Sequence, residues 1–164
     1  MLLRLFKHSF TTGLKSRIYF PRKTLERITQ AVKESEKNHR GEIRVCIEAK
    51  LNPIQILRGI SGRDRAVDMF SALRVWDTEE NNGVLIYILV ADHDIEILSD
   101  RGVNKSAPEG FWNDICSEIE KMFREKKFES GILHAVKKIG NFLENKYPRE
   151  GRDVNELPDR PHLI

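Results

Sequence analysis

A chain of 164 residues and 19.1 kDa has the length of one domain, since domains cluster at roughly 100 to 150 residues, and a second full domain is excluded. Hydrophobic residues make up 40% and charged residues 32%, no low-complexity block appears, and the longest apolar run, Val84 to Ala91, is far short of the ~20 residues of a membrane-spanning helix; wholesale disorder, coiled-coil or collagen-like architecture and a membrane crossing are excluded. The net charge of +3 is unevenly placed, with seven basic residues and one acid (Glu26) through Arg27, +6 in all, against −3 for the remainder, so no nucleic-acid partner is implied and the basicity belongs to the N-terminus.

Residues 1–20 read as a basic N-terminal extension. Arg4, Lys7, Lys15 and Arg17 stand among Leu2, Leu3, Leu5, Phe6 and Phe10 with no acid, a composition shared with some organellar presequences, and no continuous apolar stretch supports a secretory signal. The apolar residues fall on no single clean stripe, so this extension is expected to be disordered or to touch a protein partner or an anionic surface. The corresponding location is cytoplasmic, with peripheral membrane as the alternative.

From Pro21 the spacing of Leu25, Ile28 and Val32 predicts a helix, stopped by Asn38 to Gly41. Gly41 to Glu48 alternates, which predicts a strand with Ile43, Val45 and Ile47 inside and Glu42, Arg44, Cys46 and Glu48 on a wet face. Residues 52–62 read as loop, and Ser61 with Asp64 forms a capping box opening a helix with Ala66, Phe70 and Leu73 on one side. Asn81-Asn82-Gly83 is turn chemistry before Val84 to Val90, a strand buried on both faces and expected at the sheet's centre. Asp92-His93 then predicts a tight hairpin pairing Ala91 with Asp94, which places Leu85 opposite Asp100 and Gly83 opposite Gly102. Ser106 to Glu109 predicts the start of a helix carrying Phe111, Ile115, Ile119 and Met122. A second helix carries Phe128, Ile132, Val136, Ile139 and Leu143, and residues 148–164 read as a C-terminal tail after a 21–147 domain. This order predicts an α/β fold, an αβα sandwich with a short mixed β-sheet flanked by helices on both faces.

Cys46 and Cys116 form no CxxC pair and are expected as reduced, buried or semi-buried thiols. Asp92-His93-Asp94 after an apolar strand matches the Asp-x-Asp of haloacid-dehalogenase-type phosphatases, but Glu96 and the immediate return strand favour a plain turn. The hairpin gathers Asn81, Asn82, Asp100 and Asn104 at one end of the sheet, a set of oxygen ligands suited to Ca²⁺ or Mg²⁺; turn geometry alone is the competing explanation. At the opposite edge Asp64, Asp92 and His93 form the alternative cluster, although helix capping accounts for Asp64. His134 is expected to face solvent, and Trp76 and Trp112 to sit in the core or at its edge. No serine-hydrolase elbow, Walker loop or dinucleotide fingerprint is present.

Gly41-Glu-Ile-Arg-Val45, Asp64-Arg-Ala66, Asn81-Asn-Gly-Val-Leu-Ile-Tyr87, Asp92-His93, Asp100-Arg-Gly102, Pro108-Glu-Gly-Phe-Trp112 and Asp153-Val-Asn-Glu-Leu157 occur in the order seen in the TPM domain family, which the chain resembles over residues 21–157. That resemblance implies an αβα sandwich, divalent-cation binding as in some members, and the acid phosphatase character reported for thylakoid lumen members. Two departures accompany it: the long-signal, membrane-anchored form is absent, and Val-Asn-Lys follows Gly102 where the phosphatase-like branch has Gly-Leu-Glu-Gly. The expected function is therefore a divalent-cation-binding module without an assigned reaction. A weak metal-dependent phosphatase using Asp100 or Asp92, and an interaction protein tethered by its basic N-terminus, are the alternatives.

Overall fold

Two parallel strands, β1 (Glu42–Glu48) and β2 (Gly83–Leu89), form the middle of the sheet, in register from Glu42 opposite Gly83 to Glu48 opposite Leu89. The computed structural model describes residues 2–11, 17–151 and 154–164; Lys15 of the extension and Asp153 of the closing motif lie outside the described residues. Strand β3 (Asp94–Ser99) runs antiparallel to β2, and β4 (His162–Leu163) lies parallel to β1, giving the order β3-β2-β1-β4.

One face of the sheet, carrying Ile43, Val45, Ile47, Val84, Ile86 and Ile88, packs on α2 (Arg22–Glu36), α6 (Phe111–Arg124) and α7 (Phe128–Lys146). The other, carrying Cys46, Leu85, Tyr87 and Leu89, is covered by α3 (Pro53–Leu57), α4 (Gly62–Ala72) and Leu157, with Leu5 of α1 (Leu2–Phe10) packed beside them. The fold is an αβα sandwich around a mixed sheet.

Several local expectations yield to tertiary packing. Residues 52–62 contain the short helix α3, opened by an Asn52–Gln55 capping box, and α4 begins with the Ser61–Asp64 box. Ser106 does not open a helix. It closes α5 (Arg101–Ser106), its hydroxyl donating to the Gly102 carbonyl, while α6 starts at Phe111 after the left-handed Gly110. Trp76 is a surface residue, and His134 is held 2.6 Å from Glu118, tying α7 to α6. Cys46 and Cys116 are free thiols, each pushed up to about 12 by burial first.

The hairpin register differs from the expected one by two residues. Leu89 pairs with Asp94 and Leu85 with Leu98, so Gly83 faces Asp100. The reason lies in β1: the successive amides of Val90 and Ala91 both donate to it, at Glu48 and Ala49. An extended strand sends alternate amides to opposite sides, so the chain has already left the β3 ladder at that point. Val90 to His93 then form the turn, with His93 at φ 55.

The largest departure concerns the face of β1 expected to be wet: all of β1 is buried. Residues 154–164, read as a tail, wrap that face. Glu42 accepts the amides of Glu156 and Leu157, and Arg44 donates to the carbonyls of Pro158 and Arg160. Glu48 takes Arg65 from α4 and the Tyr87 hydroxyl at 2.7 Å. Burial, then the Glu48 charge, pushes the Tyr87 phenol far above its ordinary range, so it remains a donor.

The wrap is fastened by Glu36, which accepts the Ile43 amide at 2.9 Å and hydrogen-bonds Asp159. Burial raises the Glu36 carboxyl from 4.5 to about 9, helped by the nearby Glu42 and Asp159 charges, so at neutral pH it is protonated and donates to Asp159. A carboxyl whose folded pKa is raised stabilises the fold fully below its unfolded value and loses that stabilisation as pH rises through the folded one. Glu36→Gln, which keeps a donor and an acceptor without titrating, is expected to flatten the fall in stability between about pH 4.5 and 9 and to be more stable than wild type at pH 8–9, as measured by urea denaturation across that range.

Candidate functional site

The parallel and antiparallel ladders share β2, so the start of β2 and the end of β3 meet at one end of the sheet. There the Asp100 amide donates to the Gly83 carbonyl at 2.8 Å, fixing Asp100 beside the Asn81-Asn82-Gly83 turn. The turn itself is locked. Asn81 adopts φ 53, the Asn82 amide donates to Thr78 Oγ1, and the Asn82 side-chain amide donates to the Arg40 carbonyl. Arg40 in turn is ion-paired with Glu80.

Asn82 and Asp100 are 1% and 6% exposed, and each leaves one side-chain oxygen, Asn82 Oδ1 and Asp100 Oδ2, with no hydrogen-bond partner among the described residues. The other Asp100 oxygen accepts the Arg101 amide at 2.6 Å, capping α5. Asn81 and Asn104 are exposed at the same end, the Asn104 amide donating to the Asp100 carbonyl. Gly102 closes the arrangement, because a Cβ there would lie 2.6 Å from the Asn81 carbonyl oxygen and 3.1 Å from that of Glu80. The donors available are carboxylate, amide and main-chain carbonyl oxygens. They suit a hard cation and not a thiolate-seeking or imidazole-seeking metal. Among the described residues no group of three or more His, Cys, Asp or Glu is placed to hold a metal ion; at this end Asp100 is the buried carboxylate, and the nearby Glu80 is paired with Arg40.

At the opposite end, beyond the carboxyl ends of β1 and β2, lies an open crevice of about 550 Å³ lined by Asp92, His93, Asp94, Glu120, Arg4 and Arg124, together with Ser61 and Gly62. Asp92 and His93 reach it, whereas Asp64 is spent on its capping box, accepting from Ser61. Asp92 is engaged by Arg4 at 2.8 Å and lies 3.1 Å from His8 Nε2. Glycine at residue 62 leaves room for the Asp94 carboxylate, since a Cβ there would fall 1.9 Å from its oxygen and turn that side chain aside. Burial first, then the charges of Asp92 and Glu120, raise the Asp94 carboxyl. Positive and negative groups are interleaved in this crevice, and the Asp-x-Asp match is its turn.

A family model described as TPM domain matches residues 18–142. The chain belongs to the TPM domain family. This TPM domain is similar to the BA42 protein of the psychrophilic bacterium Bizionia argentinensis, whose solution structure superposes with a TM-score of 0.76 at 32% identity, covering 87% of this chain and 93% of that one. It shares its fold with the N-terminal domain of a protein from P. gingivalis, TM-score 0.59 at 14% identity, with 80% and 82% of the two chains covered. No curated protein matches it.

Sequence reasoning did not find the residues that support the carboxyl end of the strands from behind. Arg65 was visible in the Asp64-Arg-Ala66 motif, but its partner Glu48 and the Tyr87 hydroxyl that donates to the same carboxylate stand on two different strands, and Arg4 and His8 reach Asp92 from the far N-terminus of the chain. Replacing Gly102 by alanine tests whether its close approach positions the first end. Gly102→Ala is expected to cost about 1–3 kcal/mol because main-chain atoms must move, whereas Asn104→Ala, at an exposed position, stays within about 0.5 kcal/mol, both by urea denaturation.

Proposed function

We propose that this TPM domain is a divalent-cation-binding module, taking Ca²⁺ or Mg²⁺ at the end of the sheet where Asn82 and Asp100 meet. The observation that carries the reading is the pair of buried, unpartnered oxygens, Asn82 Oδ1 and Asp100 Oδ2, on the paired ends of β2 and β3. A buried polar atom without a partner costs about 1–3 kcal/mol, and a hard cation is the ligand whose preference matches these atoms. The neighbouring Asn81 and Glu80 carbonyls, turned toward Gly102, add uncharged oxygens of the kind calcium accepts. With a single carboxylate the site would bind weakly, in the range in which affinity is tuned by ligand charge.

In this reading the chain's own residues do three things. Asp100 supplies charge, the Asn82 side chain is held in place by its bond to Arg40, and the Gly83–Asp100 main-chain bond sets the spacing of the two. Titrating Ca²⁺ and Mg²⁺ into the labelled protein is expected to shift amide resonances at residues 80–83 and 100–104 and to leave the opposite end unmoved. Asp100→Asn keeps the acceptor for the Arg101 amide and is expected to weaken the titration at least tenfold without changing the circular dichroism spectrum. Equal titration by wild type and variant, or shifts confined to Asp64, Asp92 and His93, would sink this site. Cation-dependent turnover of a phosphomonoester in the same samples would replace the module with the phosphatase alternative.

A further inference from the structure

The N-terminal segment is clasped to the body by its polar residues. Arg4 donates to Asp92 at 2.9 Å and to the Ile60 carbonyl at 2.7 Å, while His8 accepts the Leu51 amide at 2.9 Å. Leu5 packs toward the core around Leu51, and His8 is 1% exposed. At about 100° per residue, Arg4, Leu5 and His8 therefore form the inward face of α1, and Leu2, Leu3, Phe6 and Phe10 fall together on one outward arc of about 100°. The stripe that the bare sequence hides becomes clean once Leu5 is turned inward.

Those four outward side chains are 59–74% exposed, and Ile54 and Leu57 of the adjoining α3 are 62% and 59% exposed. Leu3, Phe6 and Phe10 also form one wall of an open groove of about 370 Å³ whose other wall is Tyr19, Val90 and Ala91. Single exposed apolar residues are ordinary on a soluble protein; six large ones on two packed helices, beside an open groove, form a surface of another kind. Segments 2–11 and 50–58, which build it, contain Arg4, Lys7, His8, Lys50 and Arg58 and no aspartate or glutamate. Lys7, Lys50 and Arg58 are exposed around it, and Arg17 and Lys23 follow in the chain without an intervening acid.

We infer that this face, α1 together with α3, is a docking surface for an anionic lipid bilayer, lying in the headgroup region with Leu2, Leu3, Phe6 and Phe10 below it. Apolar burial and attraction to anionic headgroups act together in such a helix. The two segments that build the face carry basic residues and no acid, which selects a negatively charged surface over a neutral one, and the clasp to Asp92 and Leu51 on the inward side presents the stripe already oriented. This inference is independent of the cation site, which lies at the other end of the sheet.

The full chain is mixed with vesicles of phosphatidylcholine alone or of equal parts phosphatidylcholine and phosphatidylserine and sedimented. It is expected to pellet with the anionic vesicles at low salt, to be released as salt screens the charges, and to stay in solution with the neutral ones. The double substitution Leu3→Glu, Phe6→Glu is expected to reduce pelleting at least tenfold, and Ile54→Glu, Leu57→Glu to reduce it severalfold. Thermal unfolding of each variant establishes that the body is intact. Because a charged α1 could undock, Phe6→Trp supplies a second readout: its emission is expected to shift to the blue and to be quenched by brominated lipid when anionic vesicles are added. No pelleting, equal pelleting with neutral vesicles, unchanged pelleting of the Leu3→Glu, Phe6→Glu protein, or emission from the Phe6→Trp variant that brominated lipid fails to quench would each overturn the inference. A dimer mass in solution that the double substitution converts to monomer would overturn it too, by assigning the face to a second copy of the chain.

Discussion

The buried polar side of β1 governs the rest of the structure. Glu42, Arg44 and Glu48 point the same way from a strand that no longer has a solvent face, and a buried charge is tolerated only when paired and hydrogen-bonded. Each therefore recruits a different part of the chain. Glu42 and Arg44 bind main-chain groups of residues 156–160, and Glu48 binds Arg65 and Tyr87. The C-terminal segment is drawn over the sheet by these bonds, and its last residues become β4, the Ile164 amide donating to Ile47 and the Ile164 carbonyl accepting from Ala49 along the edge of β1. The same polar residues thus close one face and one edge of the sheet.

Covering β1 in this way leaves the two ends of the β1–β2 pair as the places where side chains can meet without being packed under a helix. They differ in chemistry. At the start of β2, oxygen atoms gather around Asp100 with the Arg40–Glu80 pair beside them, and two of the buried oxygens have no partner among the described residues. Beyond the carboxyl ends, Asp92 is answered by Arg4 and by the close approach of His8, and the crevice around it mixes acids with arginines. Ligands of open α/β sheets generally lie beyond the carboxyl ends of parallel strands. Here that end is bordered by the chain's own N-terminal helix, which is why the oxygen-rich opposite end is the better candidate for a cation. Among the described residues no helix is long and apolar enough to cross a membrane.

What the sequence determined by itself was whatever depends on short-range spacing. The period of Leu25, Ile28 and Val32, the uninterrupted run from Val84, the Ser61–Asp64 box and the stripe from Phe128 to Leu143 each specify an element locally, and together they fix an α/β sandwich. The gathering of Asn82 and Asp100 was also within reach, since a hairpin returns its two ends to one place. Tertiary structure decided the rest. Alternation in Glu42–Glu48 reports polarity, and polarity reads as exposure until a distant segment covers it; nothing near β1 in sequence announces Glu156 to Arg160. The register of the hairpin was set by Val90 and Ala91 bonding to β1, across a different ladder from the one being counted. The clean apolar stripe on α1 appears only because Arg4 and His8 find Asp92 and Leu51, turning Leu5 inward; a helical wheel has no body to point toward, and a folded domain does.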